Sequence, residues 1–139
     1  MAGLLLAASP ARAQNVVANY ALGRPGTASY EHFSFWTKDG RRYQLQYSYG
    51  PDRIDATLHY AGPATVGGQA SFKVQFADGH VLYITPGDTT LRVAAASKAA
   101  PKVFSWEYEG PINGVGTDCS VCTPSAPAAI RLVRTRYLK

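Results

Sequence analysis

Charge is scarce in this chain. Asp, Glu, Lys and Arg together make up 17% of the 139 residues, against 46% hydrophobic residues. A disordered chain shows the opposite balance, low hydrophobicity with high net charge, so this composition argues for a folded core. Long apolar runs are lacking too. Past the first few residues nothing approaches the roughly 20 apolar residues that a bilayer-spanning helix needs, so no transmembrane segment is expected in the mature chain. No G-x-S-x-G elbow, Gly-rich phosphate loop, dinucleotide fingerprint or EF-hand loop occurs, and no cofactor is expected. His32, His59 and His80 are scattered without the paired spacing of zinc ligands, so no metal site is expected either. Internal repeats and a linker that would divide the chain are likewise missing.

The N-terminus carries the clearest signal. Gly3-Leu4-Leu5-Leu6-Ala7-Ala8 is a short apolar run, Ser9-Pro10 breaks it, and Ala11-Arg12-Ala13 supplies small residues one and three positions before Gln14. An apolar core, a breaker and an A-x-A site resemble a bacterial secretory signal peptide. The expectation is a signal over residues 1–13 and one mature domain over residues 14–139, secreted or periplasmic. No positive residue precedes the apolar core, which is at the short end of the usual range of about 7–15 residues, so the true start is expected upstream of Met1. No Cys follows the cleavage point, which argues against a lipid anchor.

Net charge is +5, and Arg131, Arg134, Arg136 and Lys139 crowd the last nine residues without an acid among them. The cluster reads as the charged solvent edge of a terminal strand. The competing reading, a patch for an anionic surface, suffers because four charges make a weak field at physiological salt. Nucleic acid is not an expected partner of an exported protein.

Aromatics stand at 12%, with nine Tyr, five Phe, two Trp, 13 Gly and nine Pro. That mixture favours strands and tight turns over helices. Strands are expected at Val16–Leu22, Ser29–Lys38, Arg41–Tyr49, Arg53–Tyr60, Ser71–Phe76, Val81–Thr85, Thr90–Ala95, Val103–Glu109 and, last, Ala129–Leu138. Tyr43, Leu45, Tyr47 and Tyr49 alternate with polar neighbours, as do Ile54, Ala56, Leu58 and Tyr60, and Phe72, Val74 and Phe76. Asp39-Gly40 and Asp78-Gly79 are hairpin turns, and Gly62-Pro63 and Gly67-Gly68 bracket an expected loop. Val93–Ala100 alone has helical composition, and Pro101 stops it early. The sum is an all-β fold of about eight short antiparallel strands, either a sandwich or a small up-and-down barrel.

Chemistry is harder to place. Cys119-Ser120-Val121-Cys122 reads as a disulfide in an oxidising compartment, stiffening the Gly/Pro-rich stretch 110–127. A redox-active pair would want a helix N-terminus in a βαβ setting, and no such pattern is present. Glu107 and Glu109 sit two apart on an expected strand, so both carboxylates share a face; such a pair can serve glycan hydrolysis when about 5–10 Å apart. Asp55, Thr57 and His59 also share a face, with no activated serine to complete a triad. The tyrosine ladder, with Tyr30 and Trp36 on the opposite face from Phe33 and Phe35, holds more rings than one core needs. Tyr30, Trp36 and Trp106 are therefore the expected binding aromatics.

Three readings follow. The leading one is a non-catalytic exported β-domain that binds a glycan, a cell-surface polymer or a protein. The second is a β-scaffold glycan hydrolase using Glu107 and Glu109. The third is a lipocalin-like carrier of a small apolar ligand, which requires a cavity inside the sheet.

Overall fold

In the computed structural model the described residues are 15–37, 42–52, 54–107 and 125–138. The expected signal peptide, the expected Asp39-Gly40 turn, Glu109 and the Cys119/Cys122 pair lie outside them.

Eight strands follow one another: β1 (Asn15–Leu22), β2 (Glu31–Thr37), β3 (Tyr43–Tyr49), β4 (Ile54–Val66), β5 (Gln69–Gln75), β6 (Val81–Pro86), β7 (Thr90–Ala94) and β8 (Lys102–Trp106). Each pairs antiparallel with its neighbour in sequence, and β8 returns to β1 to close a barrel. Of the two expected architectures it is the up-and-down barrel, which leaves no free sheet edge.

The alternation in sequence sets the inside of the barrel. Phe33 and Phe35 of β2 lie opposite Tyr47 and Leu45 of β3, which lie opposite Ala56 and Leu58 of β4. On the far wall Phe72 and Val74 of β5 meet Ile84 and Leu82 of β6, and Leu91 of β7 meets Phe104 of β8. Phe33, Phe35, Phe72, Val74, Ile84 and Leu91 are fully buried. Each such side chain contributes about 1.5–3 kcal/mol by leaving water.

Two expectations need correction. The segment around Gly62-Pro63 is not a loop, because β4 runs straight through it to Val66. Gly62 has φ +115° and follows the register shift after Tyr60, the extra-residue geometry of a β-bulge. Among the described residues the pairing of β4 to β3 ends at Leu58, and from His59 on its ladder partner is β5. A proline is tolerated beside such a bulge. The turn itself is Gly67-Gly68, with φ +57° and +79°, the pair of positive values a tight hairpin turn demands.

The second correction is at the C-terminus. Ala129–Leu138 is not a last strand; α1 (Ala126–Tyr137) is a helix. Its buried residues Ala129, Ile130, Val133 and Tyr137 recur with helical period. Ser125 caps the first turn, its hydroxyl accepting from the Ala128 amide at 3.3 Å, and a proline sits in that turn. Arg134 and Arg136 occupy the last turn, where cations favour the helix dipole. The basic cluster is thus one end of a helix and not a sheet edge.

This helix plugs one end of the barrel. The Tyr137 ring stacks on Phe72 at 4.9 Å and lies 5.5 Å from Phe35 and 5.8 Å from Tyr60. Arg134 donates to the carbonyls of Gly87 (3.1 Å) and Pro86 (3.4 Å), tying α1 to the turn between β6 and β7. The Arg136 guanidinium sits 4.1 Å over the Tyr43 ring. No helix among the described residues is long and apolar enough to cross a membrane.

Candidate functional site

The other end of the barrel is open. There β3, β5 and β7 finish, and β2, β4, β6 and β8 begin. A cavity of about 500 Å³ occupies this mouth, within the roughly 300–1,000 Å³ of small-ligand sites. Phe33 and Phe104, with ring centroids 4.9 Å apart and edge to face, are both buried and both line it, so they form its floor. Ala56, Leu82 and Val93 supply apolar wall.

One side of the cup is a run of aromatic contacts. Tyr47 lies 5.1 Å from Phe33, stacks on Tyr49 at 5.5 Å and meets Phe76 edge-on at 5.8 Å. Phe76 in turn stacks on His80 at 4.0 Å. Tyr49 and its cross-strand partner Ile54 are 41% and 54% exposed, which gives the mouth an apolar rim.

Into this cup points one largely buried charge. Glu31 begins β2 in phase with Phe33 and Phe35, and its side chain is only 17% exposed. Both carboxylate oxygens are engaged: the Tyr47 hydroxyl donates to Oε1 at 2.8 Å and the Lys102 ammonium to Oε2 at 2.8 Å. Burial, and then the hydrogen bond to Glu31, push the Tyr47 phenol well above its ordinary range. Lys102 likewise stands in phase with Phe104, but its side chain is 61% exposed. At the rim Asp78 accepts from the His80 amide at 3.0 Å, and His80 Nδ1 sits 2.5 Å from the same Oδ1. These contacts, the backbone N–H first, hold the Asp78 carboxyl below its usual range. The Asp78-Gly79 turn that carries them forms as expected, with the Gly79 amide donating to Phe76 O at 2.9 Å.

The sequence-derived residues fall elsewhere. Glu107 is exposed, follows the last residue of β8 at the plugged end and does not line the cup. Asp55, Thr57 and His59 are exposed, on strand β4, where Asp55 accepts from Ser48 Oγ at 2.6 Å. The three expected binding aromatics are not gathered on one surface. Tyr30 is buried and stacks on His32 at 6.0 Å. Trp36 lies on the opposite face of β2 from Phe33 and Phe35, part-buried. Trp106 packs against the core from the last position of β8, opposite Tyr20.

Glu31 and Lys102 were not singled out from sequence, though a signal existed. Glu31-x-Phe33 and Lys102-x-Phe104 each place a charge on the same strand face as an inward aromatic. A charge in register with an apolar stripe marks the point where the stripe leaves the core.

Comparison with models of known protein families, with curated proteins and with solved structures finds no match for this chain.

Proposed function

We propose that this protein is a non-catalytic binding module that takes a small ligand with an apolar or aromatic body into the open end of its barrel. The observation that carries this reading is the asymmetry of the two ends. One is filled by Tyr137 and Val133 of the helix; the other holds a cavity of about 500 Å³ walled by rings and met by a few convergent polar groups. Apolar walls with a small set of placed polar atoms are the usual make-up of a small-molecule site. Of the three sequence readings, the carrier gains most, and the glycan-hydrolase reading has no support from the position of Glu107. Export to the periplasm or the medium remains part of the proposal, resting on the leader sequence alone.

The test is titration with N-phenyl-1-naphthylamine, a neutral apolar dye that brightens in dry surroundings. The native protein should bind it at micromolar concentration. Ala56→Trp, which puts an indole into the cup, should weaken binding at least tenfold while the far-ultraviolet spectrum is kept. Ala95→Trp, at the other wall, should do the same and guards against a folding defect in the first variant. Equal dye binding by both variants and the native protein would contradict the proposal.

A further inference from the structure

Resting on the reading of the mouth as a binding cup, we infer that its ligand is an organic cation: a protonated amine or quaternary ammonium carried on an apolar or aromatic body. The argument is one of charge and of what already sits in the cup. The charged or titratable groups along its lining, apart from the tyrosines, are Glu31, Asp78, Lys102 and His80. With His80 neutral they sum to one negative charge, inside a protein whose overall charge is +5. Tyr47, Tyr49 and Phe76 also line the cup, and an aromatic ring attracts a cation over whichever face its neighbours leave open.

Glu31 is the fixed point. It is the least exposed charged side chain of the cup, and the Tyr47 hydroxyl holds one of its oxygens from the wall side. The second oxygen faces a primary ammonium, that of Lys102, at 2.8 Å. The lysine is thus an amine on a tether, occupying the place a ligand amine would take. It is also poorly committed to that place: its side chain is 61% exposed and its stem is flexible. A ligand amine that arrives with its own apolar body to bury displaces Lys102 into solvent at little cost. A ligand carboxylate would instead have to approach Glu31 while drawing Lys102 away from it. The cup therefore discriminates by sign, with Glu31 as the recognising group and Lys102 as a built-in competitor.

Three probes of one shape separate this from simple apolar binding: 4-phenylbutylamine, 4-phenylbutanol and 4-phenylbutyrate, titrated calorimetrically at pH 7.5 and low salt. The amine should bind about tenfold tighter than the alcohol, and the acid weakest. Glu31→Gln should abolish the amine-over-alcohol ratio, and Lys102→Met should tighten the amine several-fold by removing the competitor. If the alcohol binds but the amine is no tighter, or if the ratio survives Glu31→Gln, the cation assignment is wrong while the cup remains a binding site. If none of the three binds, both the assignment and the binding reading fall.

Discussion

Glu31 and Lys102 meet at 2.8 Å although 71 positions of sequence separate them. They begin β2 and β8, the two strands that flank β1 where the barrel closes. Among the described residues β1 and β8 share the register pairs Tyr20 with Trp106 and Ala21 with Ser105, and the Glu107 amide donates to Asn19 O at 2.9 Å. The ion pair nevertheless adds little to stability, because an exposed lysine gains only about 0–1 kcal/mol from such a partner. Lys102→Met should therefore shift the urea midpoint by an amount equivalent to less than about 1 kcal/mol. A loss several times larger would mean that the pair staples the barrel shut and does not simply rest in the cup.

Tyr20 gives the opposite kind of case. Its ring is fully buried, edge-on to Phe35 at 6.2 Å, and its hydroxyl has no hydrogen-bond partner among the described residues. Burial drives the phenol pKa far up, with Arg134 opposing. An unsatisfied buried hydroxyl costs about 1–3 kcal/mol. Tyr20→Phe should thus leave stability unchanged or raise it by roughly 1 kcal/mol, measured by chemical denaturation. A clear loss would show that the hydroxyl is satisfied in solution.

The plug should be expensive to remove. Tyr137 touches Phe35, Tyr60 and Phe72, so Tyr137→Ala should cost about 3–5 kcal/mol, the range for deleting a large buried ring. Tyr137→Phe keeps the ring and should cost far less. A small effect of the alanine variant would mean that α1 is only loosely docked.

Alkaline pH tests the same ring by another route. Burial, partly offset by Arg136, pushes the Tyr137 phenol up to about 12. The unfolded chain releases that proton near its ordinary value of about 10. The folded state therefore holds the proton more tightly, and the stability this represents is complete below pH 10 and lost as pH rises toward 12. The loss from this residue is on the order of 3 kcal/mol. Denaturation at pH 9 and pH 11.5 should show the fall, and Tyr137→Phe should reduce it. An identical fall in the variant would assign it to other groups, among them Tyr20 and Tyr47, whose phenols are raised as well.

Much of the barrel could be read before any coordinates. Tyr43 to Tyr49, Ile54 to Tyr60 and Phe72 to Phe76 alternate cleanly, and those phases are the ones that face the interior. Two places resisted for physical reasons. Gly62-Pro63 looks like a break because proline normally ends a strand, but the bulge after Tyr60 accommodates it. The C-terminal segment looks like a strand because Arg131, Arg134 and Arg136 interrupt its apolar residues. Ser125 with a proline behind it, and the four-residue steps from Ala129 to Val133 to Tyr137, were the helix signals to weigh instead. The cup was the least legible part. Strand periodicity says which residues face inward but not where the interior stops being filled, and that depends on which end the helix occupies.

The most direct measurement is a map of where a ligand binds. Titrating ¹⁵N-labelled protein with 4-phenylbutanol should move the amide resonances of Glu31, Phe33, Tyr47, Ala56, Leu82 and Phe104, at the open end, and leave those of Ala129, Val133 and Tyr137 in place. Shifts centred on the helix, or no saturable shifts at all, would contradict the account of a barrel plugged at one end and receptive at the other.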